Sequence, residues 1–289
     1  MKPAPFDYVA PVTIEDAVDQ LARASGDALV LAGGQTLMPM LALRLTTPAV
    51  MVDINRIPAL KGVTRAQGKI SVGAITRQNE ILRDGTLAAA LPVLVEATRH
   101  VGHHQTRNRG TIGGSISLGE PAAELPATAV ALGATIEAHS KRGVRQIAAD
   151  AFYTGTYETV LEPDELVTAI HFPEWPAGTI TLFREVARRP GDFALVGLVG
   201  ALALDQGKIA RAGIAWFGMG ATPVKAKKAE AALVGQRTGD LDVDGVAELA
   251  LAETDPSDDS HATADYRRTV GKRIFARTLQ EALKMRAAA

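Results

Sequence analysis

The feature that most constrains this 289-residue chain is a pair of adjacent glycines that occurs twice. Gly33-Gly34 stands in Ala32-Gly33-Gly34-Gln35-Thr36, between an apolar, strand-like run and a helix-like run. Gly113-Gly114 stands in Thr111-Ile112-Gly113-Gly114-Ser115, with Arg107 and Arg109 just upstream. Lacking Cβ atoms, such a pair lets the backbone come close to a bulky ligand and leaves N–H groups able to point at an anion. One pair alone reads as a plain tight turn. Two pairs, each flanked by a hydroxyl and each leading toward a helix, predict a single diphosphate held from two sides. The first turn lacks the third glycine of G-x-G-x-x-G, and no G-x-x-x-x-G-K-[ST] occurs. The two commonest nucleotide motifs are therefore absent, and a different binding scheme is needed.

The flanking periodicity supplies the scaffold. Phe6–Val9 reads as a strand, and Thr13 as the N-cap of a helix carrying Ile14, Ala17, Val18, Leu21 and Ala22 on one face, with Gly26 placed to end it. Ala28–Ala32 is a buried-strand pattern, Leu37–Leu45 a second helix with Pro39 in its first turn, and Val50–Ile54 a third strand. Residues 69–74 read as a strand, 76–83 and 92–100 as helices, and 122–132 as a helix ended by Gly133 and kinked or restarted at Pro126. Strands follow at 135–138 and 167–172, with turn signals between them. Pro173, Pro176 and Gly178 mark a boundary. Beyond it, 179–187, 194–204 and 209–217 read as three antiparallel strands split by Arg189-Pro190-Gly191-Asp192 and Asp205-Gln206-Gly207. Helices at 223–234 and around Tyr266, Val270 and Ile274 complete an α+β pattern. The expected units are 1–56, 57–176 and 177–289.

Several chemistries are excluded or left without support. The chain has no cysteine, which rules out disulfides, thiolate zinc sites and a cysteine-ligated iron–sulfur cluster within it. A net charge of −1 supplies no field for nucleic acid or membrane, and 4% aromatic residues offer few base-stacking platforms. No apolar leader and no membrane-length apolar run are present, so a soluble, cytoplasmic protein is expected. His100, His103 and His104 do not have metal-ligand spacing and read as a solvated basic loop. Arg107 and Arg109 read equally as surface charges or as compensation for a diphosphate. Glu124 reads either as a helix N-terminal charge or as an acceptor for ribose or ribityl hydroxyls. No Gly-x-Ser-x-Gly elbow occurs, and no catalytic acid, base or nucleophile is named.

Three blocks together resemble a known family: Ala32–Thr36, Gln105–Gly114, and Glu120-Pro121-Ala122-Ala123-Glu124-Leu125-Pro126. They are similar to the FAD-binding medium subunit of molybdenum hydroxylases, which include carbon monoxide dehydrogenase and bacterial xanthine dehydrogenase-like enzymes. Pro163–Val167, Phe183-Arg184 and Arg188–Phe193 extend the resemblance over nearly the whole chain. It implies a two-subdomain FAD-binding fold of the PCMH/vanillyl-alcohol-oxidase type, followed by a C-terminal domain with a three-stranded antiparallel sheet and helices. It places the diphosphate against Ala32, Gly33, Gly34, Gln35 and Thr36 on one side and Thr111, Ile112, Gly113, Gly114 and Ser115 on the other. Val101, Glu124, Val167 and Arg184 fall near the flavin ring and ribityl chain, and Phe193 stands where the family often has a tyrosine beside the ring. Gln35 replaces a frequent histidine and Arg184 a frequent lysine.

The resemblance also implies partners: a large subunit with a molybdenum–pterin cofactor and a small subunit with [2Fe–2S] clusters, as a dimer of heterotrimers. A cysteine-free chain then houses only the flavin step, and the cofactor performs the redox chemistry. Two alternatives remain open at this stage. One is a self-contained flavin-dependent oxidoreductase, with Ser115 or Tyr157 as proton donor; the other is a scaffold subunit that has lost its cofactor.

Overall fold

The structure is a computed structural model that describes residues 2–287, with side chains described to residue 284. Three sheets follow one another along the chain, joined by a two-stranded ribbon in the middle unit. The first holds β1 (Asp7–Val9), β2 (Ala28–Leu31) and β3 (Val50–Asp53) in parallel, in the order β1-β3-β2, with helices α1 (Ile14–Arg23) and α2 (Leu37–Leu43) as crossovers. Thr13 caps α1 as its sequence predicts, its hydroxyl accepting from the Asp16 amide at 3.1 Å. Ala17, Val18 and Leu21 bury the apolar stripe of α1 against Val52, Ile54 and Leu166.

The middle unit contains strands β4 (Val63–Ala66) and β5 (Lys69–Gly73), followed by helices α3 (Gln78–Ile81), α4 (Gly85–Ala90), α5 (Pro92–His100), α6 (His104–Arg109), α7 (Ile112–Leu118) and α8 (Glu124–Leu132). Strands β6 (Thr135–Ser140), β7 (Gly143–Ala148), β8 (Tyr153–Gly155), β9 (Glu158–Thr159) and β10 (Leu166–Pro173) follow. Its main sheet is antiparallel, in the order β4-β5-β10-β6-β7, with a register shift between Val167 and Ala169. The segment between 138 and 167, read as turns, thus contains three short strands.

Strands β11 (Ile180–Val186), β12 (Val196–Asp205) and β13 (Lys208–Phe217) are the three antiparallel strands expected in the C-terminal region, and a two-residue strand, β14 (Val224–Lys225), adds a fourth at the edge. Helices α9 (Lys227–Leu233), α10 (Val243–Leu251) and α11 (Ala264–Ala287) pack on one face. Trp216 is fully buried there and donates its indole N–H to the Ala250 carbonyl at 2.8 Å. No helix among the described residues is long and apolar enough to cross a membrane.

Helix α8 organises the junction. It is apolar on every side, and all nine of its residues are buried between α5, β10 and the C-terminal strands β12 and β13. Pro126 lies in its first turn, where no intrahelical N–H is lost, so the helix runs unbroken rather than kinked. The same burial encloses the carboxyl of Glu124, the first residue of α8.

Candidate flavin site

The two glycine pairs meet. A Cβ on Gly33 would lie 2.6 Å from the Arg109 carbonyl oxygen and 2.8 Å from the Gly110 Cα. One on Gly114 would lie 3.9 Å from the Ala32 Cβ. Beside the first pair opens a cleft of ≈ 430 Å³ lined by Leu31, Gly33, Gly34, Gln35, Met38 and Pro39, with Arg109 contributed by the segment ahead of the second pair.

The pairs differ in what their amides do. Among the described residues, the N–H groups of Gly33, Gly34, Gln35 and Thr36 donate to no protein acceptor. Gly34 takes φ +70°, a left-handed conformation that glycine adopts without strain, and this turns the arc into α2. The second pair lies inside the first turn of α7 rather than in an open turn. Ile112 donates to the Thr76 carbonyl at 3.2 Å, Gly113 to the Ala74 carbonyl at 2.8 Å and Ser115 to the Thr111 carbonyl at 3.2 Å. Gly114 donates to the Thr111 hydroxyl at 3.1 Å. All four amides are therefore engaged. What this segment presents outward is the bare, exposed Cα of Gly114 and the partly exposed Ser115. Gly113 serves packing, since a Cβ there would lie 2.6 Å from the Ala74 Cβ.

Thr111 is thus an N-cap as well as a site residue. Thr111→Val is expected to destabilise the protein by about 1 kcal/mol, the usual cost of a lost cap. A shift in urea midpoint at constant slope checks this.

Arg107 and Arg109 separate into two roles. Arg107 turns inward and caps the end of α5, its Nη1 donating to the Val101 and Gly102 carbonyls at 2.8 and 3.0 Å. Arg109 lines the cleft and is the basic group placed to face a ligand anion there. The histidines do not form a loop: His100 ends α5, His103 precedes α6 and His104 begins it.

A second cluster surrounds Glu124, whose side chain is enclosed with the residue only 3% exposed. Burial, with the neighbouring carboxylates of Glu185 and Glu120, pushes its pKa up to about 8. His100 supplies the opposing positive charge. Its own pKa is raised by the hydrogen bond to Glu185 at 3.2 Å and by Glu96, and its ring lies 4.4 Å from that of Phe183. Val101 follows His100 at the end of α5, and Val167 is buried on β10 beside the register shift.

Arg184 does not join this cluster. Strand alternation on β11 sends Phe183 and Glu185 toward α5, while the Arg184 guanidinium pairs with Glu281 of α11 at 2.5 Å. Phe193 lies in the β11–β12 loop, 57% exposed. Glycine is required within that loop at Gly191, where φ is +87° and a Cβ would lie 2.6 Å from the His103 ring. Tyr157, weighed above as a proton donor, bonds the buried Glu120 carboxylate, an interaction that raises its pKa to about 12 and keeps its proton in place.

Residues 4–175 match the family described as the FAD binding domain in molybdopterin dehydrogenase, and residues 181–282 the CO dehydrogenase flavoprotein C-terminal domain. The chain belongs to this flavoprotein family. It is 38% identical to the 6-hydroxypseudooxynicotine dehydrogenase complex subunit alpha of Paenarthrobacter nicotinovorans, across 98% of this chain and 96% of that one. It superposes on reconstituted CO dehydrogenase from Oligotropha carboxidovorans with a TM-score of 0.95 at 35% identity, covering 98% of this chain and 99% of that one. Quinoline 2-oxidoreductase from Pseudomonas putida 86 gives a TM-score of 0.91 at 34% identity, covering 98% and 99%. The protein is thus an FAD-binding medium subunit of the molybdenum hydroxylase family and an oxidoreductase component, as the glycine blocks suggest.

Sequence reading missed Asn55, Arg77 and Glu185, which bridge or border these two clusters. Their partners lie 22 to 85 residues away, so no local pattern marks them. Asp53 gives a weak signal for Asn55, because an Asx side chain commonly accepts from the amide two residues on, here at 2.9 Å.

Proposed function

We propose that this chain carries FAD as the electron-transfer subunit of a molybdenum hydroxylase, collecting electrons from [2Fe–2S] clusters of a small partner and passing them to an external acceptor. The observation that carries the reading is the arc of amides at residues 33–36, which donate to no acceptor among the described residues, beside a cleft that Arg109 also lines. Backbone donors and one guanidinium suit a diphosphate, and the cleft lies within the roughly 300–1,000 Å³ usual for ligand sites. In this arrangement Ala32–Thr36 donate to the phosphates, while Thr111–Ser115 offer the close, side-chain-free approach at Gly114. Val101, Glu124 and Val167 border the ribityl and ring side, and the loop of Phe193 shields one face. Arg184, paired with Glu281, falls outside this set.

Bound FAD accepts and releases electrons one or two at a time. The chain's own residues bind it, orient it and fix the charge around it. The absence of cysteine means that no cluster of the cysteine-ligated kind resides here, so the [2Fe–2S] clusters of this scheme belong to another chain. Units 1–56 and 57–176 would clasp the cofactor and 177–289 cover it, with a large molybdenum–pterin subunit completing a heterotrimer that pairs into a dimer. The relatives include subunits of carbon monoxide, caffeine and glyceraldehyde dehydrogenases and of nicotine 6-hydroxylase, a range that supports a substrate set by the large subunit.

Native purification of this chain is expected to bring down one larger and one smaller protein, with molybdenum, iron and flavin in fixed ratio by metal analysis and absorbance. A yellow chain that purifies alone and turns over a small substrate would favour the self-contained flavoenzyme instead. A colourless chain that refuses FAD would favour the scaffold.

A further inference from the structure

The two glycine-bearing segments, the walls of the proposed diphosphate site, are joined by a network that the glycine pattern does not contain. On the first wall, Asn55 donates through Nδ2 to the Ala32 carbonyl at 2.8 Å and to the Leu31 carbonyl at 3.3 Å, holding the entry to the Gly33-Gly34 turn. Asn55 is itself fixed by Asp53, whose Oδ1 accepts from the Asn55 amide at 2.9 Å and whose Oδ2 accepts from Tyr8 at 2.5 Å. On the second wall, the chain from Ala74 to Gln78 runs antiparallel to 110–113: Gln78 donates to the Gly110 carbonyl at 2.9 Å and Gly113 to the Ala74 carbonyl at 2.8 Å.

Arg77 stands between these walls. Its Nη2 donates to Asn55 Oδ1 at 2.5 Å, and its Nη1 donates to the Arg109 carbonyl. That carbonyl is the atom against which Gly33 is packed. The Arg77 backbone is bridged to Thr111, and its amide donates to Glu80 Oε2 at 2.8 Å, so the base of the side chain is fixed as well.

We propose that Asn55 and Arg77 form a positioning clamp that sets the gap between the two glycine segments and thereby the affinity for the diphosphate of the cofactor. The inference rests on the reading of this cleft as the FAD diphosphate site. Three features support it. The bridge needs two divergent donors on one rigid plane, which a guanidinium supplies and an ammonium does not. It ends on backbone carbonyls of both walls, so it holds main chain rather than one side chain. Its Arg77–Asn55 bond is half-buried, where a polar bond is less exposed to competition from water.

The test uses the full chain freed of flavin, titrated with FAD and with ADP, which carries the diphosphate without the ring. Arg77→Met is expected to weaken both ligands by the same factor, about tenfold, the ratio that about 1.4 kcal/mol gives. Arg77→Lys keeps the charge without the fork and is expected not to restore affinity. Asn55→Ala is expected to weaken both ligands similarly, and the double variant to be little worse than either single one, because the residues act through one bridge. Full affinity in Arg77→Lys would overturn the clamp in favour of simple charge attraction. Additive losses in the double variant would overturn it too, as would a loss for FAD with none for ADP. A lower unfolding temperature with unchanged dissociation constants would reduce Arg77 to a structural tie and overturn the proposal. If the unsubstituted chain takes up neither ligand, the diphosphate reading itself fails and the clamp with it.

Discussion

Gly33→Val is expected to leave the protein folded and colourless. The Cβ it introduces would stand 2.6 Å from the Arg109 carbonyl oxygen and 2.8 Å from the Gly110 Cα, both backbone atoms with no rotamer to yield. Real Cβ atoms do not approach so closely, so the 33–36 turn has to withdraw from the opposite wall. Overpacking of this kind costs about 1–3 kcal/mol. The larger loss is functional. The four amides of the arc move with the turn, and a hydrogen bond to a charged group contributes about 1.5–3 kcal/mol. Misaligning two of them removes at least a hundredfold in affinity at about 1.4 kcal/mol per factor of ten. The ratio of flavin to protein absorbance after desalting measures this directly, and a fully yellow variant would show that the cofactor does not depend on this turn. Gly114→Val provides the comparison. Gly114 is exposed, its added Cβ would meet the Thr111 hydroxyl at 2.9 Å and the Ala32 side chain at 3.9 Å, and its amide is already engaged, so its loss should be smaller.

That contrast shows what was legible in the amino-acid order. Both glycine pairs look alike as text, and the pattern predicts the same task for both. Whether an amide is free depends on what lies opposite it, and for Gly113 the acceptor is the Ala74 carbonyl, nearly forty positions earlier. The crossovers of the first unit were readable because periodicity and capping are local, as the Thr13 cap illustrates. For Arg184 and Glu185 the ambiguity is a single position. A strand exchanges faces at each residue, so only the packing of β11 between α5 and α11 decides that Glu185, not Arg184, looks toward Glu124. The histidines read as a loop because α6 is six residues long and lacks an apolar stripe to announce it.

Glu124→Gln is expected to make the flavin-free protein more stable in mild alkali, by an amount that grows with pH. The carboxyl is enclosed by α8 and its neighbours, and burial with the charges of Glu185 and Glu120 raises its pKa from 4.5 to about 8. A group of raised pKa binds more proton in the folded than in the unfolded chain throughout that window. Stability therefore falls as pH climbs through it, by up to about 1.4 kcal/mol per pH unit, and levels off above the folded value. The full effect is a few kcal/mol, a substantial part of the roughly 5–15 kcal/mol that holds a typical domain. Glutamine has the shape of the protonated acid and no charge to bury, so the two proteins should be nearly equal near pH 5 and diverge toward pH 9. His100 sharpens the divergence: its positive charge favours the ionised Glu124, and that help disappears as His100 loses its own proton. Urea midpoints at several pH values read the difference between the two curves, which removes every titration they share. Parallel curves would mean that Glu124 is ionised at neutral pH and reaches water. Divergence would mean that Glu124 is a neutral carboxylic acid near pH 7, able to donate as well as accept. Glu124→Ala should then weaken FAD retention while Glu124→Gln, which still donates, largely preserves it.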